Sequence, residues 1–139
     1  MAKLMVKRFS SADEVRPFQA HGRVEILDTE EGMVGRGVFE PGWRWSVDVK
    51  PLAGTGSCEA SHRAYVLSGR MHVVMDDGQE TDIGPGDFAV IPPGHDAWTV
   101  GKEPCVMFDF AGMETYAMSA EARSEEAHGT AASHFHEGA

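Results

Sequence analysis

Short hydrophobic runs separated by turn residues dominate the sequence from Arg23 onward and constrain its fold more than any other feature. The runs are rich in β-branched and aromatic residues, and they end in Gly, Pro or Asp: GRVEILD, MVGRGVFE, WRWSVDV, AYVLSG, MHVVMDDG, DFAVIPPG, AWTVG and CVMFDFAG. Runs of this length with turn signals between them predict an all-β sandwich or barrel. The chain of 139 residues is long enough for one such domain.

Alternation within the runs predicts which side chains point inward. In RMHVVM, residues 70–75, Met71, Val73 and Met75 share one face of a strand, and His72 lies on the other. In WRWSVDV, read as a strand, the two indoles share one face and could line the same interior.

The termini differ from this central region, so we predict three segments: an N-terminal extension over 1–22, the barrel over 23–112 and a C-terminal helix or disordered tail over 113–139. A short helix is expected to begin at Ser11 and end near Pro17. Three tail residues, His128, His134 and His136, could suggest a metal site, but they lie in a segment without a core-forming pattern, so we do not expect one there.

Charge and hydropathy exclude several partners. A net charge of -10 without a basic cluster is unsuited to binding phosphates, so nucleic acid is not an expected partner. No stretch approaches twenty apolar residues and no secretory signal is recognisable, so we expect a cytoplasmic protein that does not enter a membrane. The two cysteines, Cys58 and Cys105, are then expected to be reduced rather than paired.

Two stretches, YVLSGRMHVVMDDG and IGPGDFAVIPPGHDAW, resemble the two motifs of the cupin superfamily, and the resemblance extends from Phe39 to Phe110. It implies an all-β fold with a single cupin barrel, the double-stranded β-helix or jelly roll. It also implies a small-molecule ligand and a homodimer, with self-association expected near the run RVEILD, residues 23–28.

The resemblance also marks where metal ligands are usually found. Gly56, Cys58, His62 and Ala97 occupy the places of two histidines, a glutamate and a third histidine, so none of the usual four ligands is present. Two of these residues can still bind a metal, and His95, two residues before Ala97, is a third candidate. We therefore predict a metal site at Cys58, His62 and His95.

The chemistry of this set favours particular metals and reactions. One thiolate and two imidazoles suit Zn²⁺ first, with Fe, Ni, Cu or Mn as alternatives, and three protein ligands plus water is the pattern of catalytic zinc. The sequence leaves open whether the bound molecule is converted; for an enzyme, the set favours a hydrolase, isomerase or lyase reaction assisted by the metal. The set departs from the two-histidine, one-carboxylate arrangement of Fe(II) oxygenases, so a non-haem metal dioxygenase is a weaker alternative.

A non-metal interpretation remains open for the same residues. Cysteine is often a small buried hydrophobe, so Cys58 and His62 could line a metal-free pocket that binds or senses a ligand, or a solid core. The candidates for substrate binding are aromatic residues and one lysine: Trp43, Trp45, Lys50, Tyr65 and Trp98. The aromatic rings could equally fill the core, and the lysine could be solvated.

Overall fold

Nine β-strands and a few short helical turns form the computed structural model, which describes residues 3–114 and 116–118. A 3₁₀ turn at Phe9–Ser11 precedes the first strand, and two short helices, α1 (Trp45–Asp48) and α2 (Lys50–Ala53), lie between the third and fourth strands. The strands are β1 (Glu14–Pro17), β2 (Gly22–Thr29), β3 (Gly32–Phe39), β4 (His62–Ser68), β5 (Arg70–Met75), β6 (Glu80–Ile83), β7 (Phe88–Ile91), β8 (His95–Val100) and β9 (Cys105–Asp109). No helix in this part of the chain is long and apolar enough to cross a membrane.

The strands form two antiparallel sheets, which confirms the predicted all-β jelly roll. One sheet has six strands in the order β1-β2-β3-β9-β4-β7, and the other has three in the order β6-β5-β8. The core between them is almost entirely apolar and includes Val24, Ile26, Phe39, Val66, Met71, Val73, Ile83 and Met107.

Alternation along the strands carries a few polar residues into this core. On β5, Met71 and Val73 are buried, whereas His72 lies on the outer face, as predicted. The same alternation on β4, β8 and β9 buries His62, His95 and Asp109. Strand register therefore brings three titratable groups into an otherwise apolar interior.

The run WRWSVDV is not a strand, which corrects the prediction. The chain turns at Gly42, just before this run, where φ is +94°. The run then forms α1, and both of its tryptophans are buried. The Asp96 carboxylate on β8 accepts a hydrogen bond from the Ser46 amide at 3.1 Å. This bond gives a partner to one of the amides that the first turn of a helix leaves free, a contact supplied by a distant strand and invisible in the local sequence.

The N-terminal segment also differs from its prediction, because the helix expected from Ser11 is replaced by a strand. Residues Glu14–Pro17 form β1, which pairs with β2 through Glu14↔Ile26 and Pro17↔Arg23. Pairing there provides backbone partners that a short, isolated helix ending at a proline could not supply. β2 consequently has neighbours on both sides, so the run RVEILD is not the free edge at which we expected self-association.

The start of the C-terminal segment closes over the six-stranded sheet. Met113 is buried against Gly35 of β3, where an added Cβ would clash with the Met113 sulfur. The buried Arg16 guanidinium donates hydrogen bonds to the carbonyl oxygens of Met113 and Tyr116, at 2.7 and 2.8 Å. The predicted C-terminal helix or tail, with its three histidines, falls mostly on residue 115 and residues 119–139, which lie outside the described residues.

Removal of the Arg16 guanidinium should destabilise the protein because two buried carbonyl oxygens lose their donors. We expect Arg16→Met to lower the free energy of unfolding by about 2–3 kcal/mol in urea titrations followed by circular dichroism. The matched control is Arg23→Met, whose side chain is 42% exposed and pairs with Glu25, which keeps Arg36 as a second partner. It should cost about 0.5 kcal/mol, and equal effects of the two changes would contradict this role of Arg16.

Candidate metal and ligand site

A short main-chain bridge places Cys58 beside His95. The Cys58 amide donates to the His95 carbonyl oxygen at 2.8 Å, and the Gly94 amide donates to the Cys58 carbonyl oxygen at 2.7 Å. His62 begins β4 four residues after Cys58, and His95 begins β8. The three candidate ligands therefore meet where the loop before β4 crosses the start of β8.

The side chains of these residues converge in the interior. The Cys58 Sγ and His62 Nε2 atoms are 3.7 Å apart, and one ligand atom from each of Cys58, His62 and His95 lies within 4.8 Å of the other two. All three residues are buried. The structure thus brings together the three residues that the sequence singled out as metal ligands.

Both imidazoles are oriented by a hydrogen bond at Nδ1. His62 Nδ1 lies 2.5 Å from Asp109 Oδ2, and His95 Nδ1 lies 2.8 Å from the Pro92 carbonyl oxygen. The Asp109 carboxylate is held in turn by the amides of Arg63 and Ala111, at 3.1 and 3.2 Å. Since both acceptors fix a proton on Nδ1, the Nε2 atom of each ring is the one left for Cys58 or a metal.

Interactions within the cluster reverse the usual order of two pKa values, so that His62 has the higher pKa and Cys58 the lower. Burial alone would raise the pKa of Cys58, but hydrogen bonds and positive charge from His62 and His95 outweigh it and lower that pKa to about 7. Burial alone would lower the pKa of His62, but Asp109 and then Cys58 raise it to about 9. Between these two values the metal-free pair consists of a thiolate and an imidazolium.

An apolar cavity adjoins the two histidines. Its volume open to the centres of water molecules is about 40 Å³, room for two or three waters. Its walls are mostly hydrophobic and carry few polar groups. The lining residues are Val24, Gly37, Phe39, Trp43, Trp45, His62, Met71, Ile91, His95, Ala97, Met107, Asp109, Met113 and Tyr116. Cys58 lines a second pocket of about 90 Å³, and Trp45 and Tyr116 border both.

The structure separates the predicted substrate-binding residues into two groups. Trp43 and Trp45 line the apolar cavity. Lys50 is exposed at the start of α2, Tyr65 is 40% exposed on the outer face of β4, and Trp98 packs on the outside of β8 against His72 and the Arg44 guanidinium. Strand alternation turns these two rings away from the cavity, so the expectation that they line it is wrong.

The two small residues at the usual ligand positions also differ in placement. Ala97 lines the cavity, where its short side chain leaves space. Gly56 is exposed, and a Cβ added there would meet nothing within 4 Å. Of these two residues, only Ala97 therefore leaves space in the cavity.

Sequence reasoning missed Asp109 and Tyr116. A signal for Asp109 existed, because alternation in CVMFDF places it on the same face as Cys105 and Met107, which are buried. No local pattern marks Tyr116, which is buried beside His62 with ring centroids 5.1 Å apart. Its position depends on Arg16, one hundred residues earlier in the chain.

Comparisons with known proteins agree with this architecture. The sequence model of the EutQ-like cupin domain matches residues 44–106. The polyketide cyclase RemF from Streptomyces resistomycificus superposes with a TM-score of 0.56 at 20% identity, over 78% of this chain and 79% of that one. An RmlC-like cupin from Shewanella frigidimarina superposes with a TM-score of 0.53 at 19% identity, over 79% of this chain and 92% of that one.

A further structural neighbour, from Silicibacter pomeroyi, is described as a sugar phosphate isomerase. It superposes with a TM-score of 0.54 at 22% identity, over 73% of this chain and 71% of that one. No curated protein sequence matches. The paired sheets thus define a cupin fold. Its sequence matches the model of the EutQ-like cupin domain over residues 44–106, and its fold is shared with solved cupin structures.

The lowered pKa of Cys58 predicts unusual thiol reactivity in metal-free protein. As pH rises through about 7, the rate of Cys58 alkylation by iodoacetamide should climb and level off, because the thiolate is the nucleophile. Cys105 is the internal control, since burial raises its pKa to about 12 and it should stay unmodified. Site-resolved mass spectrometry after timed alkylation measures both cysteines.

Asp109→Asn provides a second comparison for this titration. It removes the carboxylate that favours the protonated His62 ring, so the midpoint of Cys58 alkylation should move to higher pH. A wild-type midpoint near the ordinary thiol value of roughly 8.5 would show that Cys58 and His62 are not an ion pair.

Proposed function

We propose that the protein binds a divalent metal ion, with Zn²⁺ the preferred candidate, through Cys58 Sγ and the Nε2 atoms of His62 and His95. We propose further that it binds a small molecule in the adjoining cavity. The observation that carries the metal proposal is the occupation of both Nδ1 atoms, by Asp109 and by the Pro92 carbonyl. Metal-binding histidines almost always donate their other ring N–H in this way.

The spacing of the donor atoms fits the same proposal. Zinc–sulfur bonds of about 2.3 Å and zinc–nitrogen bonds of about 2.0–2.1 Å set the two donor atoms of a tetrahedral site roughly 3.6 Å apart. Sγ of Cys58 and Nε2 of His62 are 3.7 Å apart. Fe, Ni, Cu and Mn remain alternatives because thiolate and imidazole also bind them.

The reaction class that this site supports is a metal-assisted hydrolase, isomerase or lyase reaction. A bound divalent ion would supply Lewis acidity toward a carbonyl oxygen or a water. Asp109 would hold His62 in place, while the buried tryptophans would exclude solvent and position the apolar part of the substrate. Two proteins of this fold are described as a polyketide cyclase and a sugar phosphate isomerase, so catalysis is compatible with the fold.

A metal-free ligand-binding or sensor cupin is the second candidate. It is favoured by the way the cluster satisfies its own members: Cys58 faces His62, and His62 faces Asp109. This chain of contacts compensates the buried charges without any ion. The content of metal in the purified protein separates the two candidates.

Elemental analysis tests the metal proposal directly. Untagged protein, purified without chelator or metal resin, should contain about one divalent ion per chain, and Cys58→Ser, His62→Gln and His95→Gln should each abolish it because three ligands are the minimum for such a site. Cys105→Ser and His72→Gln are matched controls, since Cys105 is buried elsewhere and His72 lies on the outer face of β5. Both controls should keep the metal.

Two results would reject the metal site. One is wild-type protein that stays metal-free after dialysis against Zn²⁺, Fe²⁺, Ni²⁺, Cu²⁺ and Mn²⁺ in turn. The other is a bound metal that survives all three ligand substitutions. The first of these results would leave the metal-free ligand-binding candidate as the function.

We also propose that the protein forms a homodimer through the outer face of β4 and β7. Phe88 and Val90 are 54% and 65% exposed on β7, and their cross-strand partners on β4 are Tyr65 and Arg63. This patch contains no acidic side chain, and it borders an end of the six-stranded sheet. Two copies with a net charge of -10 each would approach with least repulsion through such a surface.

The molar mass in solution tests this surface. Light scattering should give about twice the chain mass of 15.1 kDa for the wild type and one chain mass for Phe88→Asp/Val90→Asp. Val47→Asp is the control, because Val47 is 61% exposed on α1, outside the patch. A monomeric wild type, or a double variant that remains dimeric, would contradict the proposal.

A cytoplasmic location completes the proposed function. Cys58 and Cys105 are both free and buried. Unpaired thiols are typical of reducing compartments, which supports this location.

A further inference from the structure

Trp43 has a buried hydrogen-bond donor without a partner. Its side chain lines the apolar cavity and the residue is 2% exposed. Within residues 3–114 and 116–118, its Nε1 is the one fully buried side-chain nitrogen or oxygen that has no hydrogen-bond partner. The metal cluster does not use this atom.

A buried indole N–H is costly to leave unpaired. Tryptophan can only donate, and buried tryptophans usually reach an acceptor. The rings packed on Trp43 are those of Phe18 and Phe39, with centroids 5.7 and 4.6 Å away, and neither offers a conventional acceptor. A water held stably in a protein interior makes two to four hydrogen bonds, and this apolar surrounding favours an acceptor that belongs to a larger apolar molecule.

We propose that Trp43 Nε1 donates a hydrogen bond to an oxygen of the cavity's ligand and so selects compact apolar molecules that carry a carbonyl-type acceptor. Trp43 is then a specificity-determining residue for the small-molecule site. The inference rests on the proposed ligand cavity and is independent of whether a metal is bound.

The cavity walls define the rest of the ligand class. The hydrophobic side chains that line the cavity disfavour an ionised group against them, so the ligand's body is uncharged. The open volume is small, and Met71, Met107 and Met113 contribute to the walls. A molecule the size of a single ring requires these side chains to move apart, and methionine is the apolar side chain best suited to such repacking.

A matched pair of probes tests the hydrogen bond. Acetophenone and ethylbenzene have similar shape and differ in one carbonyl oxygen, and their dissociation constants are measured by titration calorimetry. The informative quantity is the ethylbenzene constant divided by the acetophenone constant. Trp43→Phe should lower this quotient about five- to tenfold, the value of one neutral hydrogen bond, while ethylbenzene binding is retained.

Trp98→Phe is the matched control, because Trp98 packs on the outside of β8 against His72 and the Arg44 guanidinium, away from the cavity. It should leave the quotient unchanged within a factor of two. A quotient unaffected by Trp43→Phe, or a wild type that binds neither probe up to the limit of solubility, would overturn the inference.

An NMR measurement keeps the test valid if Trp43→Phe does not fold. The wild type has three indole N–H signals, from Trp43, Trp45 and Trp98, which the Trp45→Phe and Trp98→Phe spectra assign by elimination. Acetophenone should shift the Trp43 indole proton downfield, and ethylbenzene should not. Equal shifts with both probes would overturn the inference.

Metal content measured on the same samples separates this inference from the metal proposal. If zinc is bound but Trp43→Phe leaves the quotient unchanged, the inference is rejected and the metal proposal stands. If the protein is metal-free but Trp43→Phe lowers the quotient, the inference is supported and the metal site is rejected.

Discussion

The hydrogen bond between His62 and Asp109 is the contact on which the interior of this protein depends. It joins the beginning of β4 to the end of β9, neighbouring strands of the large sheet, and lies in a largely apolar core. An unpaired carboxylate or imidazole at either position would be strongly destabilising. Because Asp109 also accepts from two backbone amides, the pair satisfies its own polar atoms and sets the direction in which His62 presents Nε2.

A main-chain bridge brings Cys58 and His95 together beside this pair. Their main-chain bridge is isolated from the sheets, so it fixes the loop before β4 without extending a strand. The thiol then lies beside two imidazoles whose Nδ1 atoms are already engaged. The same geometry can therefore exist in two states. In metal-free protein a proton on the neighbouring imidazole compensates the negative charge of the Cys58 thiolate, and in metal-bound protein the ion does so.

The cavity next to this cluster owes its closure to residues far apart in the chain. Gly35 leaves space for Met113, and Arg16 fixes the carbonyl oxygens around Tyr116. The N-terminal strand and the residues after β9 therefore form part of the site. The fold of the central motifs alone would leave the cavity open on this side.

Much of the fold follows from the sequence by itself. Turn-separated β runs and their alternation predicted the all-β architecture and the inward Met71 and Val73, because strand periodicity is a local property of the chain. The meeting of Cys58, His62 and His95 was implied by the resemblance to the cupin motifs. Asp109 was accessible to the same reasoning, since it alternates with buried neighbours on β9.

Tertiary structure alone decided the rest. It turned the WRWSVDV run into α1, where Asp96 of β8 binds the Ser46 amide, and it turned the N-terminal segment into β1 by pairing it with β2. It also placed Tyr116 against His62 and left the indole N–H of Trp43 without a partner. The physical reason is common to these features: each depends on hydrogen bonds or packing between residues distant in the chain, and such contacts can outweigh local propensity.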